Sequence, residues 1–129
     1  MAEKKLRAGV CGAGMIAARG HIPGYQSVPN VEVVALFDVN RERAETLAKE
    51  KGIPHVYTDA DAMFASEKLD LVSVCAPNAY HAPLSIAALQ AGAHVLCEKP
   101  MALTYADARK MLETAKKAKR QLAVSFNNR

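Results

Sequence analysis

The chain has 129 residues, half of them hydrophobic, and a formal net charge of +4. That is enough for one domain with a full core, while no apolar run is long enough for a bilayer-spanning helix and the composition is not that of a disordered chain. The mild charge and the scarcity of aromatic residues argue against a nucleic-acid surface, and three cysteines without C-x-x-C spacing give neither a disulfide framework nor a structural zinc site.

In chain order, the charged start Met1-Ala2-Glu3-Lys4-Lys5 leads into Leu6-Arg7-Ala8-Gly9 rather than a long apolar segment. A secretory signal is not expected, and a cytoplasmic protein is. Leu6 to Cys11 reads as a first strand, followed by Gly12-Ala13-Gly14 and a helix from about Met15. Val31 to Phe37 is a second strand, nearly continuous in apolar residues, as a strand buried on both faces should be. The next helix carries Ala44, Leu47 and Ala48 on one face and a Glu45–Lys49 pair four residues apart, and Gly52 with Pro54 stops it.

His55-Val56-Tyr57 is a short third strand. Thr58 with Asp61 three residues later suggests a helix N-cap and a carboxylate in the first turn. Leu69 to Ala76 reads as the fourth strand, with a Pro77-Asn78 turn and a helix from about Tyr80 to Gln90. Pro83 is tolerable in the first turn of that helix, where backbone N–H groups lack partners anyway. His94 to Cys97 is a fifth strand. Thr104 caps a last long helix on which Ala108, Met111, Leu112 and Ala115 follow helical spacing, and Lys116-Lys117-Ala118-Lys119-Arg120 complements its C-terminal dipole. Gln121 to Phe126 is the sixth strand.

Strands that alternate with helices demand right-handed crossovers and a parallel sheet covered on both faces. The expected fold is therefore α/β, a doubly wound parallel six-stranded sheet of the Rossmann type in the order 3-2-1-4-5-6, with residues 1–129 as one domain. Cys11, Cys75 and Cys97 lie near the ends of apolar runs and read as small buried hydrophobes. His55 and His94, at strand starts, read as structural, and His21 as a packing residue.

Gly12-x-Gly14-x-x-Ala17 follows a strand and opens a helix, the context the dinucleotide fingerprint requires. Gly12 permits the tight turn, Gly14 lets the backbone approach a pyrophosphate, and Ala17 stands at the close helix–sheet contact. Amides at Gly14, Met15 and Ile16 would then face the phosphates at the helix N-terminus. Asp38, 21 residues beyond Ala17 at the end of the second strand, can accept hydrogen bonds from the adenosine ribose and would repel an additional phosphate. NAD is accordingly favoured over NADP, with Val39 at the same edge, although Arg41 and Arg43 lie close enough to hold a 2′-phosphate. FAD and S-adenosylmethionine use related loops, and the glycines by themselves do not separate them.

Two further segments carry a resemblance. Ala91-Gly92-Ala93-His94-Val95-Leu96-Cys97-Glu98-Lys99-Pro100 and Pro77-Asn78-Ala79-Tyr80-His81 resemble signatures of the Gfo/Idh/MocA oxidoreductases, as do the fingerprint with His21 behind it and Asp38-Val39-Asn40. The resemblance spans essentially the whole chain. It implies that Lys99 acts at the substrate hydroxyl and the nicotinamide, where an ammonium stabilises developing alkoxide charge. It also implies that Glu98 positions Lys99 or the nicotinamide ribose, that the Pro100 peptide is cis, and that Ala76, Pro77, Asn78 and His81 line the path from pyrophosphate to nicotinamide. His81 has a plainer alternative as a residue packed in a helix first turn.

Members of that family are two to three times this length, with a second α/β domain that supplies the substrate pocket and a catalytic partner for the lysine. The expectation is an isolated cofactor domain without turnover of its own, whose bared cleft face and sheet edge leave it a monomer or an adventitious dimer. The family implies a small carbohydrate or polyol substrate, and no nucleic-acid or membrane partner is expected. Two other readings remain open within the resemblance: the NAD-binding half of a glycoside hydrolase that uses a transient redox step, and a nucleotide-sensing regulator.

Overall fold

A computed structural model describes residues 5–125, so the charged start up to Lys4 and the expected end of the last strand at Phe126, with Asn127-Asn128-Arg129 after it, lie outside the described residues. The six strands are β1 (Leu6–Cys11), β2 (Val31–Phe37), β3 (His55–Tyr57), β4 (Leu71–Val74), β5 (His94–Glu98) and β6 (Leu122–Ser125). They form one sheet in the order β3-β2-β1-β4-β5-β6, parallel at every pairing. The doubly wound order expected from the alternation of elements is the one observed.

Both faces are covered. On one, α3 (Ala60–Glu67), α4 (His81–Gln90) and α5 (Tyr105–Ala118) contribute Met63, Phe64, Leu89 and Met111 against Val72, Val74, Val95 and Cys97. On the other, a π-helical turn (Ala17–His21), α1 (Ile22–Gln26) and α2 (Arg41–Lys51) contribute Ala17, Ile22, Ala44 and Leu47 against Ala8, Val10 and Leu36. Because β1 and β2 are sandwiched between these layers, their burial is continuous rather than alternating, as parallel strands require.

Local signals place the helix ends. The Asn40 side chain accepts the Arg43 N–H at the start of α2, and Gly52 closes that helix in the left-handed region; Thr104 accepts the Asp107 N–H at the start of α5. The α3 cap departs from the expectation. Asp59, not Thr58, takes the extended N-cap conformation and accepts the Asp61 N–H, because a carboxylate one residue nearer the helix satisfies the same free donor with a charge favoured by the dipole. On α2 the ion pair given by the structure is Arg41–Glu45 at 3.5 Å, rather than the expected Glu45–Lys49. Strand β4 is shorter than the apolar run Leu69–Ala76, and a 3₁₀ turn (Asn78–Tyr80) precedes α4.

Candidate functional site

The carboxyl ends of β1, β4 and β5 meet at one edge, where the sheet order reverses between β1 and β4. Open α/β sheets bind ligands at such a switch point. Three segments are gathered there: the glycine turn after β1, the Ala76-Pro77-Asn78 loop after β4, and the Glu98-Lys99-Pro100 turn after β5.

Gly12 is at φ +104°, and a Cβ on it would stand 2.8 Å from the Cys75 carbonyl carbon and oxygen. No other residue fits, since both the conformation and the contact with backbone forbid a side chain. Gly14 differs: a Cβ there would meet nothing within 4 Å. The space above it is open, at the point where the helical stretch 15–26 begins and first-turn amides lack intrahelical partners. Ala17 is fully buried, in keeping with its expected place between helix and sheet. Met15 and Ile16 are exposed at the mouth of this space.

Asp38 is buried just after β2. Its Oδ2 accepts the Ala13 N–H at 2.8 Å, its Oδ1 accepts the Asn40 N–H at 2.9 Å, and Arg43 approaches at 3.4 Å. The carboxylate thus braces the glycine turn as well as facing the cleft. Val39 and Arg41 are exposed beside it, and Arg41 turns to Glu45.

On the opposite side, Lys99 is exposed and Glu98 buried, and the Lys99–Pro100 peptide is cis. Each neighbour of Lys99 is held by a histidine. Glu98 Oε2 lies 2.6 Å from His21 Nε2. The Pro100 carbonyl lies 2.7 Å from His81 Nδ1, and the other nitrogen of that ring lies 2.8 Å from the Ala76 carbonyl. His81 is 1% exposed, so its ring joins two cleft loops from beneath them. Ala76 is partly buried and Pro77 and Asn78 are exposed.

Burial pushes the Cys11 and Cys75 thiols well above the usual range, the latter raised further by the nearby Glu98 carboxylate. Such thiols are inert. Among the described residues no group of His, Cys, Asp and Glu could hold a metal ion, and no helix is long and apolar enough to cross a membrane.

Two hollows lie near these site residues. One, of about 200 Å³, touches Gly12 and is bounded by Asp38, Val39, Arg43, Pro77 and Tyr80. The other, of about 330 Å³, is bounded by Ile16, His21, Tyr25, Glu98 and Ser125.

Comparison with known proteins decides the lineage. Residues 6–126 match the GFO_IDH_MocA family, described as an oxidoreductase family with an NAD-binding Rossmann fold. The chain belongs to this family. It is 40% identical over 129 residues to D-glucoside 3-dehydrogenase of Escherichia coli K12, covering 100% of this chain and 37% of that protein. It is 33% identical over 124 residues to myo-inositol 2-dehydrogenase of Thermotoga maritima, covering 96% of the chain and 37% of the relative. Among solved structures, the WlbA dehydrogenase from Chromobacterium violaceum in complex with NADH and UDP-GlcNAcA superposes with a TM-score of 0.89 at 28% identity, covering 97% of this chain and 36% of that one. The chain therefore spans about a third of the length of its relatives.

Of the residues singled out from sequence, Gly12, Asp38, Val39, Ala76 and Pro77 line one hollow and Ile16 and Glu98 the other, while Gly14, Met15, Arg41, Asn78, His81 and Lys99 line neither. Sequence reasoning missed Phe37, Tyr80 and Leu84, which line the hollow beside Asp38. Tyr80 alone carries a usable signal, as an aromatic residue two positions after the Pro77-Asn78 turn. The sequence reads His21 as a packing residue, whereas the structure gives it polar partners at both nitrogens.

Proposed function

We propose that the chain is the cofactor half of an NAD-dependent dehydrogenase that moves hydride between the nicotinamide ring and a hydroxyl of a sugar, polyol or inositol. The observation that carries this reading is the open space over Gly14 at a helix start, with Asp38 after β2 and Lys99 after β5 at the same carboxyl edge of the sheet. The Gly14, Met15 and Ile16 amides would take the pyrophosphate. The hollow at Asp38, Val39 and Tyr80 would take adenosine, and the side toward Ile16, Glu98 and Lys99 the nicotinamide.

An ionised carboxylate has about four acceptor positions. Ala13, Asn40 and Arg43 draw on three of those at Asp38, and one is left for a ribose hydroxyl. A 2′-phosphate would meet the same negative charge, which favours NAD over NADP; Arg43, the cation nearest to it, is already paired with Asp38. When bound, NAD supplies the hydride acceptor, and Lys99 stabilises negative charge developing on the substrate oxygen. The substrate pocket and the lysine's catalytic partner would come from sequence outside this chain, as the third-length match to its relatives suggests.

Titration of the chain with NADH, followed by nicotinamide fluorescence, tests the reading. Saturable binding is expected, with loss of at least tenfold in affinity in Gly14→Ala at unchanged stability, since the added methyl meets only the ligand. A folded wild-type chain that binds no NADH, or a Gly14→Ala variant that binds it equally well, would overturn it.

A further inference from the structure

Glu98 ends β5 immediately before Lys99, and it is the last member of a buried polar chain. The Tyr25 hydroxyl lies 2.7 Å from Ser73 Oγ, Ser73 Oγ lies 2.8 Å from His21 Nδ1, and His21 Nε2 lies 2.6 Å from Glu98 Oε2. Ser73 is fully buried in β4, and His21 and Glu98 are 9% and 8% exposed. The groups come from α1, β4, the π-helical turn and β5, so only the folded sheet assembles them.

Counting donors and acceptors orders the protons. An ionised carboxylate only accepts, so Nε2 of His21 donates to Glu98. In a neutral ring Nδ1 then accepts, and Ser73 donates to it. The Ser73 oxygen in turn accepts from the Tyr25 hydroxyl. One neutral imidazole and one carboxylate satisfy every link of this chain. Burial raises the Tyr25 phenol above its ordinary range and keeps it the donor this order needs.

Packing does not require such a chain, since apolar groups of the same volume would fill the space at less desolvation cost. Its effect is on Glu98. One carboxylate oxygen is pinned, and no donor from the described residues reaches the other, Oε1, on a residue that borders the hollow shared with Ile16. The π-helical turn that carries His21 is a rare distortion that concentrates at functional sites.

We propose that His21, braced through Ser73 and Tyr25, is a positioning residue that fixes the Glu98 carboxylate so that Oε1 presents an acceptor beside Lys99 to a ribose hydroxyl or the amide of the bound nicotinamide nucleoside. The identity of that donor rests on the cofactor reading above; the order of the hydrogen bonds does not.

The test has two arms. Nitrogen-15 spectra of the ligand-free chain read the His21 tautomer, with a neutral ring protonated at Nε2 expected, and a shift of the Nδ1 resonance in Ser73→Ala. NADH titration then compares His21→Leu with His21→Gln, whose amide keeps one donor and one acceptor at about the spacing of the ring nitrogens. Leucine should weaken binding about tenfold and glutamine by no more than about threefold. Should the leucine variant fail to fold, Tyr25→Phe, which removes only the outermost donor, should weaken binding about twofold to threefold. A doubly protonated or Nδ1-protonated His21 would overturn the proposal, as would wild-type affinity in His21→Leu (or in Tyr25→Phe, if that variant stands in), or a glutamine variant as weak as leucine. A wild-type chain that binds no NADH would sink the cofactor reading and with it the ligand of Oε1, while the ligand-free tautomer would still decide the hydrogen-bond order.

Discussion

The Asp38 carboxylate accepts the backbone N–H of Ala13 at 2.8 Å, which ties the end of β2 to the middle of the glycine turn after β1. The residue expected to hold a ribose therefore also holds the loop that would hold the phosphates. Removing it should act twice. Asp38→Ala should lower stability by about 1–3 kcal/mol, because the Ala13 amide is left buried without an acceptor, and should weaken NADH binding as well. Asp38→Asn keeps an acceptor and should recover most of the stability but less of the binding. Urea denaturation alongside NADH titration separates the two, and equal losses of stability in both variants would contradict the bracing role.

The two glycines of the turn should respond oppositely to the same methyl. Gly12→Ala drives a Cβ to 2.8 Å from Cys75 backbone atoms at a φ of +104°, and a loss of about 2–4 kcal/mol is expected. Gly14→Ala should leave the unfolding midpoint within about 0.5 kcal/mol of wild type. Comparable destabilisation by both would mean that the turn is not built as described.

His81 spans the Ala76 and Pro100 carbonyls. His81→Phe fills the volume and removes the single N–H that a neutral imidazole donates to one of these carbonyls, and should destabilise by about 1–3 kcal/mol, since a partly buried acceptor loses its donor. A calorimetric melt is the simplest check. A change below about 0.5 kcal/mol would show that water replaces the ring and that the two loops are not held through it.

Stability should fall at alkaline pH. Burial raises the Cys11 and Cys75 thiols, so the unfolded chain ionises them from about pH 8.5 while the folded chain does not. The stabilisation is whole below that value and is lost progressively as pH rises above it, by about 1.4 kcal/mol per thiol between pH 7.5 and 9.5. Unfolding free energies at the two pH values should differ by about 3 kcal/mol more in wild type than in Cys11→Ala, Cys75→Ala. A double variant with the wild-type pH slope would refute this origin.

The 129-residue chain should bind NADH and show no steady oxidation of sugars or inositols with NAD. Sustained turnover would place a complete substrate site within this one domain and overturn the proposed division of labour.

Much of the fold was legible because its signals are local. Apolar runs and helical spacing marked the elements, their alternation forced a parallel doubly wound sheet, and Gly12-Ala13-Gly14 between a strand and a helix located the turn. The α3 cap was misplaced by one residue because Thr58 and Asp59 are both competent caps, and backbone conformation chooses between them. Phe37 ends an apolar strand and Leu84 lies in a helix with nothing local to mark either, and only the gap between β2 and the start of α4 reveals that they border a hollow.

By itself, the sequence determined the order of the sheet, the glycine turn and the presence of Asp38 and Lys99 at strand ends, because each depends on periodicity or on neighbours a few residues away. Tertiary structure alone decided what surrounds Lys99. His21 and Glu98 are separated by 77 residues and His81 and Pro100 by 19, and no spacing rule joins them. Parallel crossovers carry each pair to a common edge, where a buried donor must find an acceptor, and that requirement belongs to the packed interior rather than to any stretch of chain.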